Sequence, residues 1–277
     1  MPRPGPTSLS LPPFAGATRR LILLNVAVFF TLAILSLVSR PVSGFLLAHL
    51  ALIPFDVAHG QLWQVATYAF INDGLISTLF AMLTLWFTGS MLEGSYGSRW
   101  LYELYFISVI GGGVIASIIS FSHLFGLNPA RAVAIGPYAG IFGLLIAIAT
   151  FFGDQEFLLF FFIRVKAKYL VAIYILIELA VLLKSANAFD ALVQLSGALA
   201  GFIFVRLAPR RGLAFGLAER YYSLRNDFYR SKRRRSAQKF KVYMGKQNRE
   251  VHFDDDGRYI DPDTQKPRNP NDKSWMN

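Results

Sequence analysis

Long uninterrupted blocks of apolar residues restrict the fold of this chain more than any other feature. A membrane-spanning helix needs about 20 mostly apolar residues, because the hydrocarbon core of a bilayer is about 30 Å thick. The 277-residue chain is 54% hydrophobic and only 16% charged, whereas about a quarter of the residues in soluble domains are charged. We therefore predict an all-α, polytopic membrane protein with six transmembrane helices. The six blocks cover residues 21–38, 75–92, 101–121, 132–152, 168–184 and 188–206.

The distribution of Lys and Arg residues predicts the orientation of these helices, because basic residues concentrate in cytoplasmic loops. With a cytoplasmic N-terminus, the basic residues at 164–168 and the very basic C-terminal tail lie inside. The outside loops then hold only Arg40, Arg131 and Lys184. Both termini are therefore expected in the cytoplasm, and the net charge of +11 reflects this topology, with no DNA partner expected. This pattern, without a recognisable targeting peptide, favours a bacterial plasma membrane, with an organelle membrane as the alternative.

The composition divides the chain into four segments. Residues 1–19 are Pro-rich and predicted to be disordered, and residues 20–207 form the membrane domain. Residues 208–245 are predicted to form a basic cytoplasmic helix with an aromatic stripe. Residues 246–277 are polar and predicted to be largely disordered, although the alternation around Asp256–Gly257 allows a small hairpin.

Two apolar stretches outside the six blocks do not suit a further span. The loop at 39–72 contains too many Pro, Gly and His residues, so it is predicted to rest in the outer interface, where Trp63 and Tyr68 suit the depth. Its backbone polar groups then need partners within the protein. Residues 157–163 are too few to cross a bilayer and predict an interfacial strand or a helix extension.

The sequence predicts neither a cofactor nor a metal site. There is no Cys, which excludes a disulfide or a thiolate ligand. Glu178 is the carboxyl group that lies deep in a predicted span, and such groups are usually functional or paired. A proton or ion pathway would need a second intramembrane ionisable group, and none is evident, so a transporter is not favoured.

Small residues predict how two of the spans meet. Gly197 and Gly201 form a GxxxG pair, which allows close approach of another helix. Gly136, Gly140 and Gly143 give the fourth span a similar smooth face. We predict that the fourth span packs against the sixth.

Four stretches together resemble the rhomboid family of intramembrane serine proteases. They are WQVATYAFIN at 63–72, LTLWFTGSMLEGSYGS at 83–98, GPYAGIFGL at 136–144 and QLSGALAG at 194–201. LILLNVAVFF also resembles the first span of that family. The resemblance extends over residues 20–207 with the motifs in the same order.

The resemblance implies a six-helix bundle around a water-filled cavity that opens to the outside. In the family, a serine at the start of the fourth helix attacks the substrate, a histidine on the sixth is its base, and an asparagine and a histidine on the second support the oxyanion. These positions fall here on Tyr138, Gln194, Ala81 and Ser77, respectively. A further histidine of the outer loop falls on Asn72.

The replacements remove the chemistry that such a protease needs. A phenol has a pKa near 10, a Gln side chain does not accept a proton at neutral pH, and Ala offers no oxyanion donor. We therefore predict a pseudoprotease that binds the transmembrane segments of client proteins. Tyr138 is expected to fill the cavity and to donate to Gln194. The predicted client cavity consists of Trp63, Asn72, Tyr138, Phe142 and Gln194.

Two alternatives remain open at this stage. The first is an active rhomboid serine endopeptidase with relocated catalytic residues. The second is that the basic tail at Lys232, Arg233, Arg234 and Arg235 binds anionic lipid or ribosomal RNA. The serines and histidines available for the first alternative are Ser117, Ser120, Ser122, His123, His49 and His59.

Overall fold

The computed structural model describes residues 12–72, 74–159, 163–184, 187–207, 213–246, 251–255 and 257–260. The chain forms two compact units, Met1–Leu213 and Ala214–Asn277. The first is called the membrane unit below and the second the C-terminal unit.

The membrane unit is built from helices and one short antiparallel hairpin. In chain order its helices are α1 (Gly16–Val38), α2 (Arg40–Leu50), α3 (Pro54–Ala58), α4 (Gln64–Thr67), α5 (Leu75–Tyr96), α6 (Ser98–Ser120), α7 (Tyr138–Phe151), α8 (Ala167–Lys184) and α9 (Ala188–Leu207), with single 3-10 turns at Tyr68–Phe70 and Leu124–Gly126 and the hairpin strands β1 (Glu156–Leu159) and β2 (Ile163–Lys166).

Four of the described helices are long and apolar enough to cross a membrane: α1, α5, α6 and α9. The prediction of an all-α, polytopic membrane protein is therefore confirmed. The other two predicted spans correspond to α7 and α8. α7 has 14 residues, or about 21 Å of helix, and the 18 residues of α8 include Lys168, Glu178 and Lys184.

The fourth predicted span began at residue 132, and this boundary is wrong, because α7 begins at Tyr138. The residues before it are held outside any helix, since Leu52 and Ala134 pair as an antiparallel bridge. Gly136 has a φ of +105°, which favours glycine. Pro137 then occupies the N-cap, where its missing amide costs nothing.

The first helix begins at Gly16, so the prediction of disorder up to residue 19 is wrong for its last residues. The carboxylate of Glu93 on α5 accepts hydrogen bonds from the amides of Ala17 at 2.6 Å and Thr18 at 3.0 Å, and from the Thr18 hydroxyl at 2.7 Å. The first amides of a helix have no acceptor within that helix, and here the Glu93 carboxylate provides the acceptor. Residues 1–11 lie outside the described part of the chain.

The segment between α1 and α5 is organised around Gln64, whose side chain is fully buried. Its Oε1 accepts from the amide of Ile53 at 3.0 Å, and its Nε2 donates to the side chain of Gln61 at 3.1 Å. The Thr67 hydroxyl donates to the carbonyl of Leu50 at 2.8 Å. Gln64 and Thr67 thus satisfy backbone groups at the break between α2 and α3, where the helices leave them without partners.

The centre of the membrane unit is formed where α7 and α9 meet at their small residues. A Cβ atom added to Gly197 would lie 2.6 Å from the carbonyl oxygen of Ala139, and one added to Gly201 would lie 2.7 Å from the Cα of Gly143. On α6, an added Cβ at Gly112 would lie 2.9 Å from the carbonyl oxygen of Val193. A side chain at any of these three glycine positions would therefore force the helix backbones apart.

Residues after α7 form the hairpin, in which Glu156 pairs with Lys166 and Leu159 with Ile163. Of the two predictions for residues 157–163, the strand is confirmed and the helix extension is wrong. Asp154 accepts a hydrogen bond from Lys168 at 2.8 Å, and this contact lowers the pKa of the Asp154 carboxyl.

The C-terminal unit consists of α10 (Leu213–Gly245) and a short hairpin. Phe253 and Tyr259 form an antiparallel bridge, and the amide of Asp254 donates to the carbonyl of Arg258 at 2.9 Å. The hairpin predicted in this part of the tail is therefore confirmed. The disorder predicted for most of the remaining tail stays a prediction, because residues 247–250 and 261–277 lie outside the described part of the chain.

Candidate functional site

A polar cavity of about 330 Å³ lies in the membrane unit, between residues of α5, α7, α8 and α9. It brings together four positions that the rhomboid resemblance singled out: Asn72, Ser77, Tyr138 and Gln194. The remaining lining residues are Ile135, Gly136, Glu178, Val181, Asn187, Asp190 and Ala191.

Tyr138 reaches this cavity because the turn before α7 is fixed. The amide of Gly136 donates to the carbonyl of Tyr68 at 2.9 Å. Tyr68 is itself buried, and its hydroxyl donates to the carbonyl of Val109 on α6 at 2.8 Å. A side chain at position 136 would meet the Tyr138 ring at 2.8 Å, so the ring occupies the space that the glycine leaves.

The hydroxyl of Tyr138 donates to the carbonyl of Ser77 on α5, over a long distance of 3.4 Å. This contact joins the start of α7 to the first turn of α5. Gln194 lines the same cavity from α9. The hydrogen bond that we predicted between Tyr138 and Gln194 stays a prediction.

Asn72 joins the cavity wall to α1. Its Nδ2 donates to the Oδ1 of Asn25 at 3.2 Å. Asn25 is fully buried, and its own Nδ2 donates to the carbonyl of Leu21 at 2.9 Å. This pair of amides holds the end of the segment between α1 and α5 against the first helix.

Three predicted site residues lie elsewhere. Trp63 is half exposed, and its indole N–H donates to the carbonyl of His49 at 2.9 Å, so it braces the segment between α1 and α5. Phe142 and Ala81 are buried in the helix bundle. Neither Trp63 nor Phe142 is among the residues that line the cavity. Phe142 lies one helical turn beyond Tyr138 along α7.

The cavity also contains two carboxylates that sequence reasoning did not bring together. Glu178 on α8 and Asp190 in the first turn of α9 both line it, with Asn187 beside them. No second intramembrane ionisable group was evident in the sequence, and the structure places Asp190 in the same cavity lining as Glu178. Asp190 stands at the start of an apolar block, where an acidic residue is usually a solvated helix start, so the sequence did not indicate this position. Arg131 lines a neighbouring cleft that shares Asn187 and Asp190.

The residues proposed for a relocated protease site bond mainly to backbone. Ser120 donates to the carbonyl of Ser117 at 2.7 Å, and Ser122 to that of Ile119 at 2.6 Å. The Nδ1 of His123 contacts the carbonyl of Leu127 at 3.2 Å. These contacts are typical of polar residues at a helix end. Within the described ranges, no group of three or more His, Asp or Glu residues suits a metal ion.

The comparisons with known proteins agree with this architecture. A family model described as eukaryotic integral membrane protein (DUF1751) matches residues 22–213. The chain is 26% identical over 171 residues to rhomboid-like protein 19 of Arabidopsis thaliana, which covers 59% of this chain and 54% of that protein. The chain thus spans about half the length of this relative. Both comparisons point to eukaryotic proteins, so the expected bacterial plasma membrane finds no support in them. The chain belongs to the DUF1751 family of integral membrane proteins and is rhomboid-like.

Proposed function

We propose that this protein is a non-catalytic rhomboid-like protein that binds the transmembrane segments of client proteins at its polar cavity. The observation that carries the proposal is that Tyr138 and Gln194 line one cavity at the start of α7. They stand where the resemblance places the nucleophile and its base. Their shared cavity supports a rhomboid-like site that carries different side chains.

These side chains do not form an activated nucleophile. A serine or phenol attacks a carbonyl only when a base removes its proton, and Gln has no basic atom. In subtilisin, loss of the nucleophile or the base alone costs about a millionfold in turnover. The position expected for an oxyanion donor holds Ala81, which is buried and has no polar side-chain atom.

The polarity of the cavity supports binding as its purpose. Polar and charged groups within membrane-spanning segments are costly and are usually functional. Here Glu178, Asp190 and Gln194 line one space. A polar or basic side chain of a client helix would find hydrogen-bonding and charged partners in this cavity. Lipid chains offer no such partners.

The proposed topology has six spans with both termini in the cytoplasm. α7 and α8 count as spans because both pack against α9, which is itself long and apolar enough to cross the membrane. A helix of 14 residues is shorter than the bilayer core, so α7 begins within it. Tyr138 would then lie at the bottom of a cavity that opens outside.

Photo-crosslinking tests the proposal. A photoreactive amino acid at Gln194 reports on the cavity, and the same amino acid at Leu199, which is half exposed on α9, reports on the lipid-facing surface. We expect adducts with other membrane proteins from position 194 in native membranes, and mainly lipid adducts from position 199. Lipid adducts alone from both positions would refute client binding.

A further inference from the structure

Three arginines meet in one cleft of the C-terminal unit. Arg230 and Arg233 come from α10, and Arg258 comes from the hairpin that follows it. We call this the arginine cleft. It measures about 520 Å³, and its other lining residues are Ser223, Asn226 and Asp227.

The cleft depends on the way the hairpin is folded onto α10. Gly257 has a φ of +74°, and a Cβ added there would lie 2.9 Å from the backbone of Arg233. The Nε of Arg234 donates to the carbonyl of Asp255. The amide of Arg258 donates to the Oδ1 of Asp254 at 2.7 Å, which fixes the turn that carries the third arginine.

An apolar contact secures the far end of the hairpin on the same helix. The rings of Phe240 and Phe253 meet edge to face, with centroids 6.3 Å apart. Ala237, one turn before Phe240 on α10, is buried. The position of Arg258 is therefore set by packing as well as by hydrogen bonds.

The chemistry of the cleft suits a phosphate group. Guanidinium groups bind phosphate oxygens with two parallel N–H donors, and Ser223 and Asn226 add a hydroxyl and an amide donor. Asp227 is the carboxylate that opposes an anion here. With three arginines and one carboxylate, the lining has an excess of two positive charges.

The surroundings of the cleft favour a membrane lipid as the source of that phosphate. Five residues connect Leu207, the end of α9, to Leu213, the start of α10. This is at most about 20 Å of extended chain, so α10 is tethered to a membrane-spanning helix. Exposed aromatic rings such as Phe228 and Tyr243 suit the interface between headgroups and acyl chains.

We propose that the arginine cleft binds the phosphate groups of anionic lipids on the membrane face from which α10 emerges. This goes beyond client binding and does not depend on the cavity. The cleft would hold α10 against anionic membrane and release it from neutral membrane.

The absence of cysteine allows a single label to test this in the full-length chain. Ser231, exposed beside the cleft, is changed to Cys and carries an environment-sensitive fluorophore. The protein is placed in nanodiscs of neutral phosphatidylcholine, or of the same lipid with about one fifth phosphatidylserine, and brominated lipids serve as quenchers. We expect strong quenching in anionic nanodiscs only. Equal quenching in both would overturn the proposal.

Two triple variants of equal charge separate the cleft from diffuse attraction. The first changes Arg230, Arg233 and Arg258 to Gln, and the second changes Lys239, Lys241 and Lys246 to Gln. Since each basic residue near an anionic surface contributes on the order of fivefold in binding, diffuse attraction predicts equal losses for the two variants. The cleft predicts that the first reduces lipid-dependent quenching at least about tenfold more. Equal losses would contradict it.

Soluble competitors provide a second measurement on the unaltered cleft. An inositol polyphosphate, which presents phosphate without a membrane, is expected to reduce quenching of the labelled Ser231→Cys protein in anionic nanodiscs. An RNA added at equal phosphate concentration is expected to have less effect. If the RNA displaces the label more effectively, the lipid assignment is wrong, and α10 is a nucleic-acid-binding element.

Discussion

Tyr138 and Gln194 line the same cavity, the first from the start of α7 and the second from the second turn of α9. The glycines behind them set this relationship, because Gly197 contacts the backbone of Ala139. The helix packing thus holds the two side chains at one site. The Tyr138 ring, the contact between α7 and α9, and the carboxylates of the cavity can therefore be changed separately.

The first prediction concerns the ring of Tyr138. Its hydroxyl donates to the Ser77 carbonyl over a long distance of 3.4 Å, and since a neutral hydrogen bond contributes about 1 kcal/mol net, Tyr138→Phe should change the free energy of unfolding by no more than about that amount. Tyr138→Ala should open the cavity and cost about 3 kcal/mol or more. Crosslinking yield from position 194 should be unchanged in the first variant and altered in the second. A loss in Tyr138→Phe would instead show that the hydroxyl recognises clients.

The second prediction concerns the contact between α7 and α9. A Cβ at Gly197 would meet the backbone of Ala139 at 2.6 Å, and backbone does not move aside. Gly197→Ala should therefore destabilise the protein by about 1–3 kcal/mol. Gly94→Ala on α5 is the matched control, because nothing lies within 4 Å of a Cβ there, and it should raise stability by up to about 1 kcal/mol. Thermal unfolding in detergent measures both, and equal effects would contradict the packing argument.

The third prediction concerns the start of α1. Glu93→Ala removes the acceptor of the Ala17 and Thr18 amides, and should cost about 1–2 kcal/mol. It should also speed hydrogen exchange at these two amides. Asp154→Ala serves as the control, since the Asp154 side chain is 80% exposed and that of its partner Lys168 is 44% exposed, and ion pairs exposed to water contribute little to stability. Unchanged exchange in Glu93→Ala would show that α1 does not depend on this carboxylate.

The fourth prediction concerns the two carboxylates of the cavity. A Lys side chain in the middle of a client helix costs about 2.5–3.5 kcal/mol in lipid, and Glu178 and Asp190 would offset part of this. Combining Glu178→Gln with Asp190→Asn should reduce capture of such a client about tenfold and leave a client with Leu at that position unaffected. Glu103→Gln, outside the cavity, should change neither. If both clients respond alike, the carboxylates do not select for charge.

The sequence predicted the long apolar helices but not the short helices α2, α3 and α4 between the first two. Apolar blocks predict a helix from their length alone, and the motif around Tyr138 indicated which residue would reach the cavity. The start of α7 was missed because its position depends on the pairing of Leu52 with Ala134, which are far apart in the sequence. Gly136 and Pro137 are local signals of a helix start, but the residues on both sides of them are apolar and continue the block across the boundary.

Contacts between distant residues account for the other differences. In the sequence, Glu93 stands near the end of an apolar block like an ordinary helix-end residue, and only the fold brings it to Ala17. Glu178 and Asp190 come from different helices, so their meeting in one cavity depends on how α8 packs against α9. Phe142 was predicted to line the cavity, but it lies one helical turn beyond Tyr138 on α7 and is buried in the bundle.

The central claim is that this site holds membrane clients and does not cut them. Its most direct test is to reconstitute the protein with a client captured through position 194 and to measure the mass of that client after prolonged incubation. The account predicts that all of the client is recovered at its intact mass while crosslinking continues. Two fragments produced by cleavage within the transmembrane segment would contradict it.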